Sequence, residues 1–537
     1  MVIPDYVSAN SFIVAHAHYQ SQRCCTRVPT SNLIWHAVSA PAEVTKHMTS
    51  DQNTESDSSR RLSIPVMAAY GAGEIVQAVV TIAIYSLLLF YYQQIVGLSG
   101  TLTGLALGIA LFFDAVTDPL VGSLSDRIQG RYGRRHPVMA AAVIPIAITL
   151  FLLFSPPDGL SAFGNFVWLT VFAILVRTAL TFFVIPHLAL GAEMAPDYLQ
   201  RSTLYSFGSL IGGIGGALIG FAVYWVFFPT TDEFNPGLLN ADGYRSFTLT
   251  AAVILTAAIG LCLFGTAGEI PNLKTAESAT RLSFIQIIRD IQDVFRDRDF
   301  LVIFAGFMLW FLFGYIESVG SPFMNLHFWG LQTEQLAYFG VVALFGVPVA
   351  FALVPWVTRT FDKRNTMIGS SLAVLVVPNI PICLRLLEVS WYPDNSSPWI
   401  LYINLSVSFI SAISGVIAAV TYSSIYADLT DSHEYRTHQR REGTIFAARS
   451  FSGKAAGAFG LMIGGVILDL IAFPKNAPYG SVPDDVIWNL GLFVGPATSI
   501  FSVAGISLFM FYRLDKARHA EIVRVLEARR SLRDPNL

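Results

Sequence analysis

Long apolar runs, each about as long as a bilayer is thick, constrain this chain more than any other feature. A helix that crosses the hydrocarbon needs about 20 mostly apolar residues. Such runs recur near 66–92, 99–124, 137–155, 163–191, 203–228 and 246–266, then near 299–324, 336–357, 366–387, 397–427, 444–472 and 486–513. The spacing predicts twelve transmembrane helices. The hydrophilic stretch 267–298 divides them into two groups of six. A transmembrane β-barrel is built from alternating segments of about ten residues instead, and that pattern does not occur here.

Composition supports the same reading. Hydrophobic residues make up 53% of the 537 and charged residues 13%, about half the ~25% usual in soluble domains. So few charges cannot cover a water-facing surface. The formal net charge of −3 argues against a nucleic-acid partner. Cys24, Cys25, Cys262 and Cys383 are spaced for neither a metal site nor a disulfide framework. Neither H-E-x-x-H nor G-x-S-x-G is present, so nothing points to an intramembrane enzyme. No cofactor is expected.

Basic residues orient the spans, because Lys and Arg collect in cytoplasmic loops. Arg127, Arg131, Arg134 and Arg135 follow span two, and Arg201 follows span four. Lys274, Arg281, Arg289, Arg296 and Arg298 fill the central stretch. Arg359, Lys363 and Arg364 follow span eight, and Arg436, Arg440 and Arg441 follow span ten. The alternate loops are nearly bare. The pattern predicts a cell (inner) membrane protein with both termini in the cytoplasm. It divides the chain into an N-terminal segment (1–65), a first six-helix group (66–266), a central loop (267–298), a second group (299–513) and a tail (514–537). No part of 1–65 has the charged start and apolar core of about 7–15 residues that mark a signal peptide. Asp51 to Arg61 reads as disordered, and the tail as a charged amphipathic helix over Arg518 to Arg530. Met48 opens a shorter chain. We expect 1–47 to be an over-extended reading frame, which mass spectrometry of natively expressed protein tests.

Charges inside spans are expensive, at least ~2.5–3.5 kcal/mol near the bilayer centre. Span two contains Asp114-Ala115-Val116-Thr117-Asp118-Pro119. The carboxylates stand at i and i+4, on one helix face. Asp114 lies about 22 Å along its span at ~1.5 Å per residue. With the Thr117 hydroxyl, the pair offers hard oxygen ligands to a small cation. It can equally share a proton, since like charges this close raise one pKa, or pair with basic residues that only hold helices together. Arg177, at matching depth in span four, is the obvious basic partner. Its other expected role is to bind an anionic or hydroxyl-rich cargo. Lys454 in span eleven is placed for a charged partner near the centre. Glu74, Gln77, Tyr315 and Glu317 are further polar candidates, with Glu317 and Asp469 expected at the outer boundary. Trp310 stands mid-span, where an aromatic face can stack on a sugar ring. Gly208, Gly212, Gly213, Gly215 and Gly216 in span five, and Gly457, Gly460, Gly464 and Gly465 in span eleven, let helices approach closely.

These residues match a known family. Tyr70-Gly71-Ala72-Gly73 through Val96-Gly97-Leu98-Ser99 resembles the first helix of the glycoside–pentoside–hexuronide cation symporters of the major facilitator superfamily. The resemblance continues through Asp114 to Gly122, Asp126-Arg127 to Gly133-Arg134-Arg135-His136-Pro137, and Ile185-Pro186-His187 to Glu193. It returns at Tyr426-Ala427-Asp428 and from Arg441-Glu442-Gly443 to Lys454. It implies an all-α membrane protein with twelve transmembrane helices in two six-helix bundles that alternately open to each side. It implies symport of a sugar or glycoside with Na⁺ or H⁺ by a monomer. Asp114, Thr117 and Asp118 would bind the cation, and Asp126, Arg127, Arg134 and Arg135 would form a cytoplasmic gating loop. Lys454 and Thr181 match the family's eleventh-helix lysine and fourth-helix threonine. Cargo would contact Gln77, Arg177, Thr181, Trp310 and Lys454. The galactoside carriers' first-helix Lys-Asp pair falls on Gln77 and Ala78, and their fourth-helix aspartate on Val184, so both sugar-binding carboxylates are missing. The wider family includes sodium-driven lysolipid carriers, which leaves an amphiphilic cargo as the alternative.

Overall fold

The computed structural model describes residues 61–128, 130–195, 197–273, 292–439 and 441–533. The expectations for residues 1–60 and for most of the central loop lie outside the described residues. Eleven helices are long and apolar enough to cross a membrane. They are α1 (Ile64–Ile95), α2 (Gly100–Arg127), α3 (His136–Leu153), α4 (Ala162–Met194), α5 (Gln200–Phe227), α6 (Ala241–Asn272), α7 (Arg298–Phe328), a run over Thr333–Leu386, α10 (Trp399–Thr437), α11 (Glu442–Leu470) and α12 (Asp484–Phe509). The run Thr333–Leu386 has 54 residues, or about 80 Å of helix at ~1.5 Å per residue, more than twice the ~30 Å of hydrocarbon. It breaks at Asp362, whose φ of 63° and ψ of 158° are not helical. Residues 333–361 (α8) and 363–386 (α9) are two crossings, and the total among the described residues is twelve. A thirteenth helix, α13 (Lys516–Arg533), follows. Its Ile522 and Leu526 are buried, and Arg530 pairs with Glu434 of α10 at 2.9 Å.

The short polar breaks act as helix starts. Ser99, Ser161, Asp197 and Asp297 each accept a hydrogen bond from a backbone N–H in the turn they open, satisfying a donor that the helix leaves free. The first helix of each half ends the same way. α1 closes with a π-helical turn over Tyr91–Ile95 and α7 with one over Met324–Phe328. Val96 N–H donates to Tyr91 O at 3.1 Å, and Trp329 N–H to Met324 O at 2.8 Å. Gly97 and Gly330 then take φ of 77° and 66°, a region open to glycine at little cost. The repeated turn marks α1 and α7 as counterparts in a twice-used six-helix plan.

In the first half, α1 packs on α5 and α6, and α4 on α2 and α3; in the second, α11 and α12 pack on α7, and α10 on the α8–α9 run. The halves meet along α2 with α11 and along α5 with α8. The first seam is tight enough for backbones to touch. A methyl group on Gly465 would lie 2.1 Å from the Gly100 carbonyl oxygen, and one on Gly104 would lie 2.5 Å from that of Leu461. The halves are also clasped at the end opposite the basic loops. Asp469, closing α11, accepts from the Gly100 and Thr101 N–H groups of α2 at 2.8 and 2.7 Å. Gln94 donates to Pro474 O at 2.9 Å and accepts from Ala477 N–H at 2.9 Å. Glu334, opening α8, accepts from Thr230 N–H at 2.6 Å and its hydroxyl at 2.8 Å.

Candidate cation site and cargo cavity

Two helix stripes and one lysine build the charged centre. Asp114 and Asp118 stand four apart on α2, and Arg177 and Thr181 four apart on α4, so each pair shares a helix face. The two faces meet. Arg177 Nη2 donates to Asp114 Oδ2 at 2.6 Å. The Thr181 hydroxyl lies 3.0 Å from Asp114 Oδ1, 3.2 Å from Asp118 Oδ1 and 3.1 Å from Arg177 O. A hydroxyl has one proton, so it serves one of these acceptors at a time. From the other half, Lys454 on α11 reaches Asp114 Oδ2 at 2.9 Å and pairs with Asp118 Oδ2. Asp114 is buried, while a quarter of the Asp118 side chain is exposed. Pro119 sits inside the helix; lacking an N–H, it frees the Ala115 carbonyl one turn earlier.

Two carboxylates face two basic groups, so the cluster is neutral as it stands. A buried pair left without its partner costs ~3–5 kcal/mol, which explains why both basic groups are needed when no other cation is held. Thr117 donates to Asp114 O at 3.2 Å, back along its own helix. The hydroxyl that spans both carboxylates belongs to Thr181.

A cavity of about 820 Å³ lies between the halves, within the ~300–1,000 Å³ of small-molecule sites. Its walls differ. On the first half, α5 offers Gly212, Gly213, Gly216 and Gly220, and α1 offers Ala78, Thr81 and Tyr85. On the second half, Glu317, Ser318, Ser321 and Asn325 of α7, Asn379 of α9 and Asn404 and Ser408 of α10 present polar groups. Glu317, expected near the outer boundary, lines this cavity. Tyr85 links cavity and cluster. It lines the one, neighbours the Arg177 guanidinium and packs against Tyr315, with ring centroids 5.7 Å apart. Arg177 Nε is buried without a hydrogen-bond partner, an arrangement that costs ~1–3 kcal/mol and leaves a donor for an incoming oxygen.

Other expected residues stand apart. Gln77 is exposed and donates to Thr81 at 3.3 Å. Trp310 packs on Phe307 and Phe311 inside the second half and is not among the cavity-lining residues. At the basic end, Arg135 pairs with Asp126 at 2.6 Å and Glu193 at 2.8 Å, and Arg134 with Glu193 at 2.8 Å. This ties α2, α3 and α4 together. Arg127 ends α2 and is exposed.

The family profile described as MFS/sugar transport protein matches residues 69–516. The chain belongs to this family. Its members are transporters rather than enzymes. The carrier is 24% identical to an uncharacterized symporter of Synechocystis over 89% of this chain and 99% of that one. It is 24% identical to the isoprimeverose transporter of Lactiplantibacillus pentosus (72% and 74%). It is also 24% identical to the mouse sodium-dependent lysophosphatidylcholine symporter 1 (94% and 93%). In fold it resembles the inward-open xylose transporter XylE of E. coli, with a TM-score of 0.58 at 15% identity over 86% of this chain and 99% of that one.

Two features of the carrier's site escaped sequence reasoning. Tyr85 carries no charge and sits in an aromatic-rich helix, so nothing marked it. The ion-pairing of Glu193 had a signal: it is a lone acid at the end of span four, facing a loop rich in arginine.

Proposed function

We propose that this carrier couples entry of Na⁺ or H⁺ to uptake of a sugar or glycoside. The observation that carries the reading is Lys454 bridging two carboxylates of the opposite half. A cation entering between Asp114, Asp118 and the Thr181 hydroxyl would raise the neutral cluster to +1 unless the ammonium withdraws. Ion binding therefore frees α2 from α11 at the centre, removing one of the contacts that keep the halves from rocking. The empty carrier keeps its internal cation in the ion's place. Tyr85 and Arg177 transmit the change to the cavity. There a sugar would set hydroxyls against the amide and hydroxyl wall and a less polar aglycone against the glycine wall. The basic loops and both termini face the cytoplasm of a cell (inner) membrane in this reading. The clasped end is then the outer one, and the conformation is the inward-facing member of the cycle. The carrier works as a monomer.

Proteoliposome uptake of labelled glycosides, pentosides and uronides, with an imposed Na⁺ or H⁺ gradient and without one, tests the proposal. Gradient-driven accumulation that disappears in Asp118→Asn supports it, and gradient-independent uptake overturns it. The glycine wall and the likeness to a lysophosphatidylcholine symporter over 94% of this chain favour one second reading, an amphiphilic cargo. Lysolipids belong in the same uptake panel.

A further inference from the structure

A second ionisable pair lies outside the cluster. His187 on α4 reaches over α1, where its Nε2 sits 3.0 Å from the Tyr70 carbonyl oxygen. Gly73 makes the room, since a methyl group there would lie 2.5 Å from Nε2. The ring is held flat against Tyr70, with centroids 4.2 Å apart and planes 13° apart, and Phe183 stacks nearby. A backbone carbonyl only accepts, so Nε2 carries a proton. In a neutral imidazole the other nitrogen is then a bare acceptor. That nitrogen, Nδ1, faces Glu74 Oε1 at 3.6 Å. His187 is buried and Glu74 only partly exposed. An ionised carboxylate facing a bare imidazole nitrogen would set two acceptors against each other with no donor between them, an arrangement a low-dielectric site penalises.

We propose that Glu74 and His187 together hold one proton, making a proton-binding site at the rim of the cargo cavity that is separate from the Asp114–Asp118 cluster. Glu74, Ala78 and Thr81 stand at i, i+4 and i+7 on one stripe of α1, and the last two line the cavity. The carboxyl is thus about one helical turn from the cavity wall. The titratable groups around the pair do not supply the missing donor. The Tyr205 hydroxyl of α5 donates to Leu188 O at 3.0 Å, the Tyr70 hydroxyl has no hydrogen-bond partner, Cys262 of α6 is a free, buried thiol, and Arg201 Nε donates to Ala195 O at 3.0 Å. The proton comes from water and resides on Nδ1 or on the carboxyl. Releasing it puts a negative charge beside the cargo path, so the site makes transport pH-dependent; that role rests on the symporter reading, while the site itself does not.

The test is ¹⁵N NMR of the histidine-labelled full chain in nanodiscs, with the His187 signals assigned by their loss in His187→Gln. Nε2 should stay protonated throughout while Nδ1 titrates. Glu74→Gln should alter the Nδ1 titration, since the carboxyl that faces this nitrogen is gone. Gly73→Ala, which keeps both titratable groups, should release the ring from Tyr70 and mix the two tautomers. A bare Nε2 in wild type, or the same Nδ1 titration in wild type and Glu74→Gln, overturns the site. Uptake rate should show a step at the Nδ1 midpoint that Glu74→Gln lacks, and coincident uptake profiles overturn the transport role. A chain that moves no cargo refutes the symporter reading, and the NMR result stands independently of it.

Discussion

Asp118→Asn tests the charged centre most directly. The substitution keeps the shape and removes one negative charge, so the cluster changes from neutral to +1 before any ion arrives. A cation held between the two carboxylates would stand about 3 Å from Asp118, as Lys454 stands 2.9 Å from Asp114. At an effective dielectric of about 20, the lost attraction is roughly 5–6 kcal/mol. A quarter of the Asp118 side chain meets solvent, and halving the figure for screening leaves about 3 kcal/mol. At ~1.4 kcal/mol per tenfold, cation affinity should fall about a hundredfold. Thermal unfolding reads this without transport. At a cation concentration of a hundred times Kd, wild type should gain about 2.7 kcal/mol, and the variant, then near its own Kd, about 0.4 kcal/mol. Na⁺ is titrated at fixed pH with choline as the ionic-strength control, and H⁺ at fixed Na⁺. A variant that keeps the full cation-dependent stabilisation, or the full gradient-driven accumulation, would refute the assignment.

Further outcomes follow from the same contacts. Lys454→Ala strands a net negative charge and should lose roughly 3 kcal/mol in cation-free buffer. The double variant Asp118→Asn/Lys454→Ala is neutral again and should recover part of that loss in a melting comparison; strictly additive losses would show that the two groups do not interact. Arg177→Ala should abolish uptake while folded protein remains in the membrane, and near-normal transport would exclude both a cluster and a cargo role. Gly104→Ala places a methyl group 2.5 Å from the Leu461 carbonyl oxygen and should cost about 1–3 kcal/mol by overpacking, visible as a lower Tm. Asp469→Ala removes the acceptor for two N–H groups opening α2. A cap of this kind contributes ~0.5–2 kcal/mol, so amide exchange at residues 100–101 should quicken roughly two- to thirtyfold.

The membrane architecture was legible because each crossing needs the same length of apolar residues and the breaks carry helix caps. Eight and nine appear as one unbroken helical run only until Asp362, and the basic Arg359, Lys363 and Arg364 had already separated them in the sequence. α10 runs ten residues past its expected end at 427, because Asp428, Ser432 and His433 are buried by contacts that hydropathy cannot see; Asp428 meets Lys363 of α9 and His519 of α13. In the charged centre, Asp114, Asp118, Arg177 and Lys454 could be named because an intramembrane charge announces itself. The cavity could not. Its walls are glycine, serine and asparagine, residues with many other uses in a helix, and only the way α5 faces the helices of the second half across the cavity gives them a common purpose. His187 was visible as a residue, but its anchoring depends on Gly73 of another helix, a long-range fit that local pattern does not encode.

The division of labour between halves gives the coupling its physical sense. The carboxylates belong to α2 and the hydroxyl facing them to α4, while the ammonium that neutralises them comes from α11. The cavity is split the same way, with a glycine wall on α5 beside Ala78, Thr81 and Tyr85 of α1, and a polar wall on α7, α9 and α10. Neither site is complete within one half, so each is a measure of how the halves sit. The clasp at Asp469 and Glu334 uses carboxylates on backbone N–H groups, which resist separation without involving the central charges. In the proposed cycle, a cation that displaced Lys454 would weaken the middle of the α2–α11 seam and leave this end clasp intact. Rocking then needs a second contribution, and cargo binding across both cavity walls is the one the geometry offers. Ion alone or cargo alone removes only part of the barrier, which is the condition for tight symport rather than leak.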